Sequence, residues 1–253
     1  MIELRHLTVG YGEKAVLRDI SHTISTGQMV CLLGANGAGK STVLRTLAGF
    51  LPPLSGEVLL EGHDLLSLSL LRRSRAVSVV LTEHVEVPYM RVADLVGMGR
   101  SPYTGFFGTL GKEDKRIVEE AIDMVGIGNL AGRTIDTLSD GERQKAMLAK
   151  ALAQQTPVIL LDEPTAFLDF PSKVEMMQLL RRLAREQQKV IFLSTHDFEL
   201  ALQVADMLWL METGSISIGT PRMLADSGAL ARYVERPGIT FNKETLTVRV
   251  FEE

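Results

Sequence analysis

One cysteine in 253 residues, Cys31, excludes an internal disulfide. It lies in the apolar run MVCLLG, the setting of a buried and inert thiol. No apolar stretch approaches the roughly 18–20 residues needed to cross a bilayer. The opening MIELRHLTVGYGEKAV lacks the basic-then-apolar order of a secretory leader. The expectation is a chain that stays in the cytoplasm and meets a membrane only through a partner. A basic excess is missing too. The 27 Lys and Arg stand against 31 Asp and Glu, a net −4 that gives no reason to expect nucleic acid. His6, His22, His63 and His84 show no metal-ligand spacing. Internal repeats, low-complexity tracts and heptad runs are absent as well.

What is present is ordinary globular composition, 45% apolar and 23% charged. IELRHLTV and AVLRDISHTIS alternate in strand fashion around the turn GYGEK. QMVCLLG, PVILLD and KVIFLST are short continuous apolar runs, the pattern of parallel strands buried on both faces. KSTVLRTLAGF reads as a helix stopping near Gly49, with Pro52 and Pro53 beyond it. PSKVEMMQLLRRLAREQQ is an amphipathic helix between two of the buried strands. DMLWLMETGSISIGTP reads as a strand pair around Gly214, and the tail GITFNKETLTVRVFEE as a hairpin turning near 242–245. From about Glu83 to Gln155 the signals are mainly helical, in RVADLVGMG, KEDKRIVEEAIDMVGI and LSDGERQKAMLAKALAQ. A helical subdomain inserted into an α/β core follows from this order.

GANGAGKS, Gly34 to Ser41, fits the phosphate-loop pattern between a strand and a helix. A chain of this length matches by chance about once in a hundred times. Phosphate oxygens need several donors at close range, and glycines let backbone amides converge where side chains would block them. The spacing assigns nucleotide binding to Gly34, Ala35, Asn36, Gly37, Ala38, Gly39, Lys40, Ser41 and Thr42. Lys40 is expected on the β- and γ-phosphates and the Ser41 hydroxyl on Mg²⁺. Asp162 ends the strand VILLD, beside the phosphate loop, and is the second expected metal ligand. Glu163 follows, aimed differently, and suits a general base that polarises water for attack on the γ-phosphate. His196 lies just beyond a third buried strand and reaches the same sheet edge. Ser139 and Glu142 form a capping-box pattern, S-x-x-E, at the start of a helix.

In this order the motifs resemble the nucleotide-binding subunit of ATP-binding cassette (ABC) transporters along essentially the whole chain. GANGAGKS looks like the Walker A loop of that family, and VILLDE like Walker B with its catalytic glutamate. AFLD resembles the D-loop through Asp169, STHD the switch histidine through His196, and LSDGE the signature LSGGQ through Ser139, Asp140, Gly141 and Glu142. Tyr11 holds the place of the aromatic that stacks on adenine. The resemblance implies a P-loop NTPase (RecA-like) core with an N-terminal antiparallel β region. It implies one cassette over 1–253, with 1–82 and 156–253 as core and 83–155 as helical subdomain carrying the signature. ATP and Mg²⁺ are the implied cofactors.

Family members hydrolyse ATP between two copies arranged head to tail, at the inner face of the cell membrane on transmembrane permease subunits. A substrate-binding protein joins importers indirectly. Three positions depart from the pattern: Asp140 for glycine, Glu142 for glutamine, and Thr82 where a glutamine usually contacts the metal. LVGMGRSPYTGFFGTLGKEDKRIVEEAIDMVGI resembles the helical region of importers for ferric siderophores, haem and cobalamin. An export ATPase, an importer of other cargo, a soluble cassette acting on nucleic acid and a P-loop small-molecule kinase are the competing readings.

Overall fold

The computed structural model describes residues 1–81, 89–212 and 214–251. Its strands are β1 (Ile2–Tyr11), β2 (Lys14–Ile24), β3 (Met29–Gly34), β4 (Ser55–Leu60), β5 (His63–Asp64), β6 (Val77–Val80), β7 (Val158–Leu161), β8 (Val190–Thr195), β9 (Met207–Glu212), β10 (Ser215–Gly219), β11 (Ile239–Asn242) and β12 (Thr247–Val250). The helices are α1 (Lys40–Leu47), α2 (Leu70–Ala76), α3 (Val92–Gly97), α4 (Lys112–Met124), α5 (Asp140–Ala153), α6 (Phe170–Glu186), α7 (Phe198–Val204), α8 (Pro221–Asp226) and α9 (Ala229–Val234).

The central sheet runs β10-β9-β3-β8-β7-β6. Its inner pairings are parallel, and β10 closes one edge antiparallel to β9. The predicted buried runs are these strands, and every residue of β3, β7 and β8 is buried. Side chains alternate between two cores because successive strand residues point to opposite faces. Cys31, Leu33, Ile191 and Leu193 pack with α3 to α6, while Val30, Leu32, Val190, Phe192 and Trp209 pack with α1 and the N-terminal sheet. That second sheet, β2-β1-β4-β5, is antiparallel throughout.

Helices α3, α4 and α5 share one apolar cluster with the central sheet, through Leu95, Ile117, Val118, Ala121 and Ala149. Helix α5 begins where the S-x-x-E pattern put it. The Glu142 amide donates to Ser139 Oγ at 3.3 Å and the Ser139 amide to Glu142 Oε2 at 2.9 Å. Helix α6 is opened by Asp169, whose carboxylate accepts the Ser172 N–H at 3.0 Å. Thr82 falls among residues 82–88, outside the described residues. No helix among the described residues is long and apolar enough to cross a membrane.

Candidate functional site

The strand order decides which loops meet. β3 feeds the phosphate loop, β7 leads directly into Asp162, and β8 lies between them and ends at Thr195. In an open parallel sheet, ligands bind beyond the carboxyl ends of the strands. Three loops from three adjacent strands therefore arrive at one edge.

Backbone conformation shapes the phosphate loop. Gly39 has φ 103°, and a Cβ there would lie 2.1 Å from Val16 Cγ1 of β2. Only glycine fits that turn, immediately before α1. The Lys40 side chain is buried, and its ammonium donates to Gly34 O at 2.9 Å and Ala35 O at 3.3 Å. Burial pulls the Lys40 pKa down from its ordinary value, and the nearby Glu163 and Asp162 carboxylates oppose that shift.

Glu163 and His196 close on the same ammonium. Lys40 Nζ is 3.2 Å from His196 Nε2 and 3.8 Å from Glu163 Oε1, and Glu163 Oε1 is 2.6 Å from His196 Nε2. Ser41 Oγ donates to Asp162 Oδ2 at 2.8 Å. The five residues predicted at this edge thus form two contact groups, Lys40 with Glu163 and His196, and Ser41 with Asp162. The pairing of a hydroxyl and a carboxylate supplies hard oxygen donors of the kind Mg²⁺ takes, with its other positions left to phosphate and water. Thr42 lies buried one residue further along α1. A cavity of about 500 Å³ opens beside Ala35, Asn36, Gly37 and Ala38, walled opposite by Glu212, Tyr233 and Arg236.

Other predicted residues sit apart. Tyr11 is half exposed at the end of β1, opposite Lys14 in the hairpin whose Val16 packs on Gly39. Ser139, Asp140 and Glu142 keep their bonds at the start of α5. Ser139 Oγ donates to Glu142 Oε2 at 3.0 Å, Asp140 is 3.9 Å from Arg143, and Glu142 is 3.9 Å from Arg133. The Ser139 amide, then its hydroxyl, hold the Glu142 carboxyl below the usual carboxylate range. Gly141 packs against Leu168, where a Cβ would meet Cδ2 at 2.9 Å. Asp169 is exposed at the mouth of α6, its carboxyl lowered chiefly by its bond to Ser172.

Sequence reasoning missed the supporting groups. Ser194, inside β8, bonds both Asp162 Oδ1 and the Glu163 amide. Asp197, one residue past His196, accepts from Thr165 Oγ1 at 2.7 Å and Lys173 Nζ at 2.8 Å, tying the His196 loop to the β7 loop and α6. A serine within a strand buried on both faces needs a partner, and that was the available signal in VIFLST.

A strand interposed between the phosphate loop and the Asp-terminated strand, with donors at one sheet edge, defines a P-loop nucleoside triphosphatase fold. The sequence model described as ABC transporter matches residues 17–166. The chain is 43% identical over 216 residues to an uncharacterised ABC transporter ATP-binding protein from Methanocaldococcus jannaschii, covering 85% of this chain and 74% of that protein. It is 36% identical over 227 residues to the achromobactin transport ATP-binding protein CbrD of Dickeya dadantii, covering 89% and 84%. A solved dimeric ATP-binding cassette in a post-hydrolysis state, bound to ADP and phosphate, matches with TM-score 0.76 at 26% identity, over 87% of this chain and 99% of that one. The chain belongs to the ABC transporter family, as an ATP-hydrolysing cassette.

Proposed function

We infer that the chain is the ATPase subunit of a membrane importer for iron chelates or cobalamin. The observation that carries the enzymatic part is the cluster of Lys40, Glu163 and His196, all within 3.8 Å at the sheet edge that bears the phosphate loop. ATP phosphates bind the amides of Gly37 to Ser41 at the start of α1. Binding draws the Lys40 ammonium from the Gly34 and Ala35 carbonyls to the β- and γ-phosphates. Glu163 takes the proton of an attacking water, and His196 orients that carboxylate and the water in line with the γ-phosphate. Ser41 and Asp162 would hold Mg²⁺, which would supply neutralisation of charge on the phosphates. Tyr11 stacks on the adenine.

Two copies act head to tail, each offering the signature of Ser139 to Glu142 to the nucleotide of the other, with Asp169 at the junction. Residues 83–155 are the helical subdomain, and 1–82 with 156–253 the core. A groove of about 670 Å³ lined by Phe50, Leu70, Leu71, Pro102 and Gln154 supports contact with permease subunits. Leu70 and Phe50 are 80% and 63% exposed there, more apolar surface than a free face needs. On those permease subunits the chain works at the cytoplasmic face of the membrane. The cargo assignment is supported by GRSPYTGFFG and by the likeness to an achromobactin transport protein. The test is copurification with candidate permease subunits, then ATPase assay with candidate binding proteins. Stimulation by an iron-chelate or cobalamin binding protein is expected. A complex that responds only to an unrelated cargo refutes the assignment.

A further inference from the structure

Ser194 sits on the strand between the phosphate-loop strand and the strand that leads into Asp162. Its side chain is 0% exposed. Its Oγ donates to Asp162 Oδ1 at 2.6 Å and accepts the Glu163 N–H at 2.9 Å. A hydroxyl has one hydrogen and two lone pairs, so both bonds form without conflict. The other oxygen of the same carboxylate, Oδ2, receives Ser41 Oγ at 2.8 Å. One buried hydroxyl thus grips the side chain of one acid and the backbone of the next.

The grip falls where the backbone needs it. Glu163 has φ 50°, a left-handed conformation that a glutamate adopts only when its surroundings impose it. That conformation aims the Glu163 carboxylate at His196 Nε2, 2.6 Å away, and Lys40 Nζ, 3.8 Å away. Turning the peptide before Glu163 would swing the carboxylate off both. Ser194 holds the amide of that peptide.

We propose that Ser194 is a positioning residue for ATP hydrolysis. Through the Glu163 amide it fixes the direction of the Glu163 carboxylate, and through Oδ1 it turns Asp162 so that Oδ2 faces Ser41. The inference rests on the hydrolytic role given above to Glu163 and Asp162. Ser194 acts only through them, since its two bonds end on those residues.

Three variants of the full chain separate positioning from packing. Ser194→Ala removes both bonds, while Ser194→Cys fills nearly the same space with a weak donor and acceptor. Ser78→Ala is the control. Ser78 is a buried serine of the same sheet, bonded to Thr156 Oγ1 at 3.0 Å and away from the carboxylates. Both Ser194 variants should lower kcat about 30-fold with KM for Mg-ATP within about twofold, the size expected for losing hydrogen bonds to a charged group. A readout without turnover is the affinity for a fluorescent ATP analogue with and without Mg²⁺. The gain in affinity from Mg²⁺ should shrink about fivefold in both Ser194 variants and stay unchanged in Ser78→Ala.

Turnover within about twofold of the unaltered chain in a folded Ser194 variant overturns the proposal. So does an equal fall in Ser78→Ala, or failure of both Ser194 variants to fold, which makes the hydroxyl a packing element only. If the unaltered chain hydrolyses no ATP, it is the assignment of Glu163 and Asp162 that falls, before any variant is compared.

Discussion

Arg100 is the buried cation that fastens the loop after α3 to the end of α5, and its removal has a calculable cost. The residue is 5% exposed. Nη1 donates to Ala153 O at 2.8 Å and to Gln155 Oε1 at 3.0 Å, and Nε donates to Asp114 Oδ1 at 2.9 Å. The guanidinium also covers the Tyr103 ring, 4.1 Å from its centroid. Arg100→Met keeps the stem and loses the donors. The buried bonds to Ala153 and Gln155 together predict a loss of about 3 kcal/mol, counting hydrogen bonds to a charged group. Asp114 loses the Nε bond to Oδ1 and keeps the Gly111 N–H on Oδ2 at 3.0 Å; the figure counts the two buried acceptors alone. With a urea slope of about 3 kcal/mol/M, the unfolding midpoint should fall by about 1 M. The single tryptophan, Trp209, is fully buried in the central sheet and reports the transition by fluorescence. Arg116→Met removes an exposed arginine paired with Glu113 on α4 and should shift the midpoint little. A drop below about 0.3 M for Arg100→Met would refute the reasoning, because it would mean that the buried donors contribute no more than surface ones.

Two further outcomes follow from the same contacts. The folded Glu142 carboxyl titrates below the ordinary 4.5, so its contribution to stability is complete above that value and is lost as pH falls through the folded pKa. The stability difference between the unaltered chain and Glu142→Gln should be constant from pH 7 to 5 and shrink in acid, read as urea midpoints at each pH. Burial pushes the Cys31 thiol well above its ordinary value, and its side chain is inaccessible. A thiol reagent at pH 8 should label Cys31 only in denaturant, and rapid labelling of the native chain would contradict the buried β3.

Much of the fold was legible where periodicity and burial coincide. β3, β7 and β8 read as continuous apolar runs because both faces of the central sheet are covered. The Gly49 stop of α1, the Gly214 turn and the hairpin turn at 242–245 carried their own turn residues. α2 escaped notice for the opposite reason. None of its residues is buried, and Leu70 and Leu71 lie on the surface, so LLRRSRA has no core-facing stripe to read. β4 is buried only over Val58–Leu60, after a glycine at φ 75°. At the site, the meeting of Lys40, Asp162, Glu163 and His196 could be read because each follows a recognisable buried strand. The roles of Ser194 and Asp197 could not, since their partners are set by strand order, which pattern alone does not fix. The S-x-x-E pattern named the cap of α5, and the geometry adds that Ser139 Oγ already donates to Glu142 in the single chain.

In the proposed mechanism Glu163, held against His196 and Lys40, is needed for hydrolysis and not for nucleotide binding. The direct measurement is steady-state Mg-ATP hydrolysis by the unaltered chain and by Glu163→Gln, with ATP affinity and oligomeric state followed in parallel. A loss of about 10²- to 10⁴-fold in turnover is expected for removal of a general base. ATP binding should be kept, and the variant should accumulate as an ATP-dependent dimer. Ordinary turnover by Glu163→Gln would contradict the account.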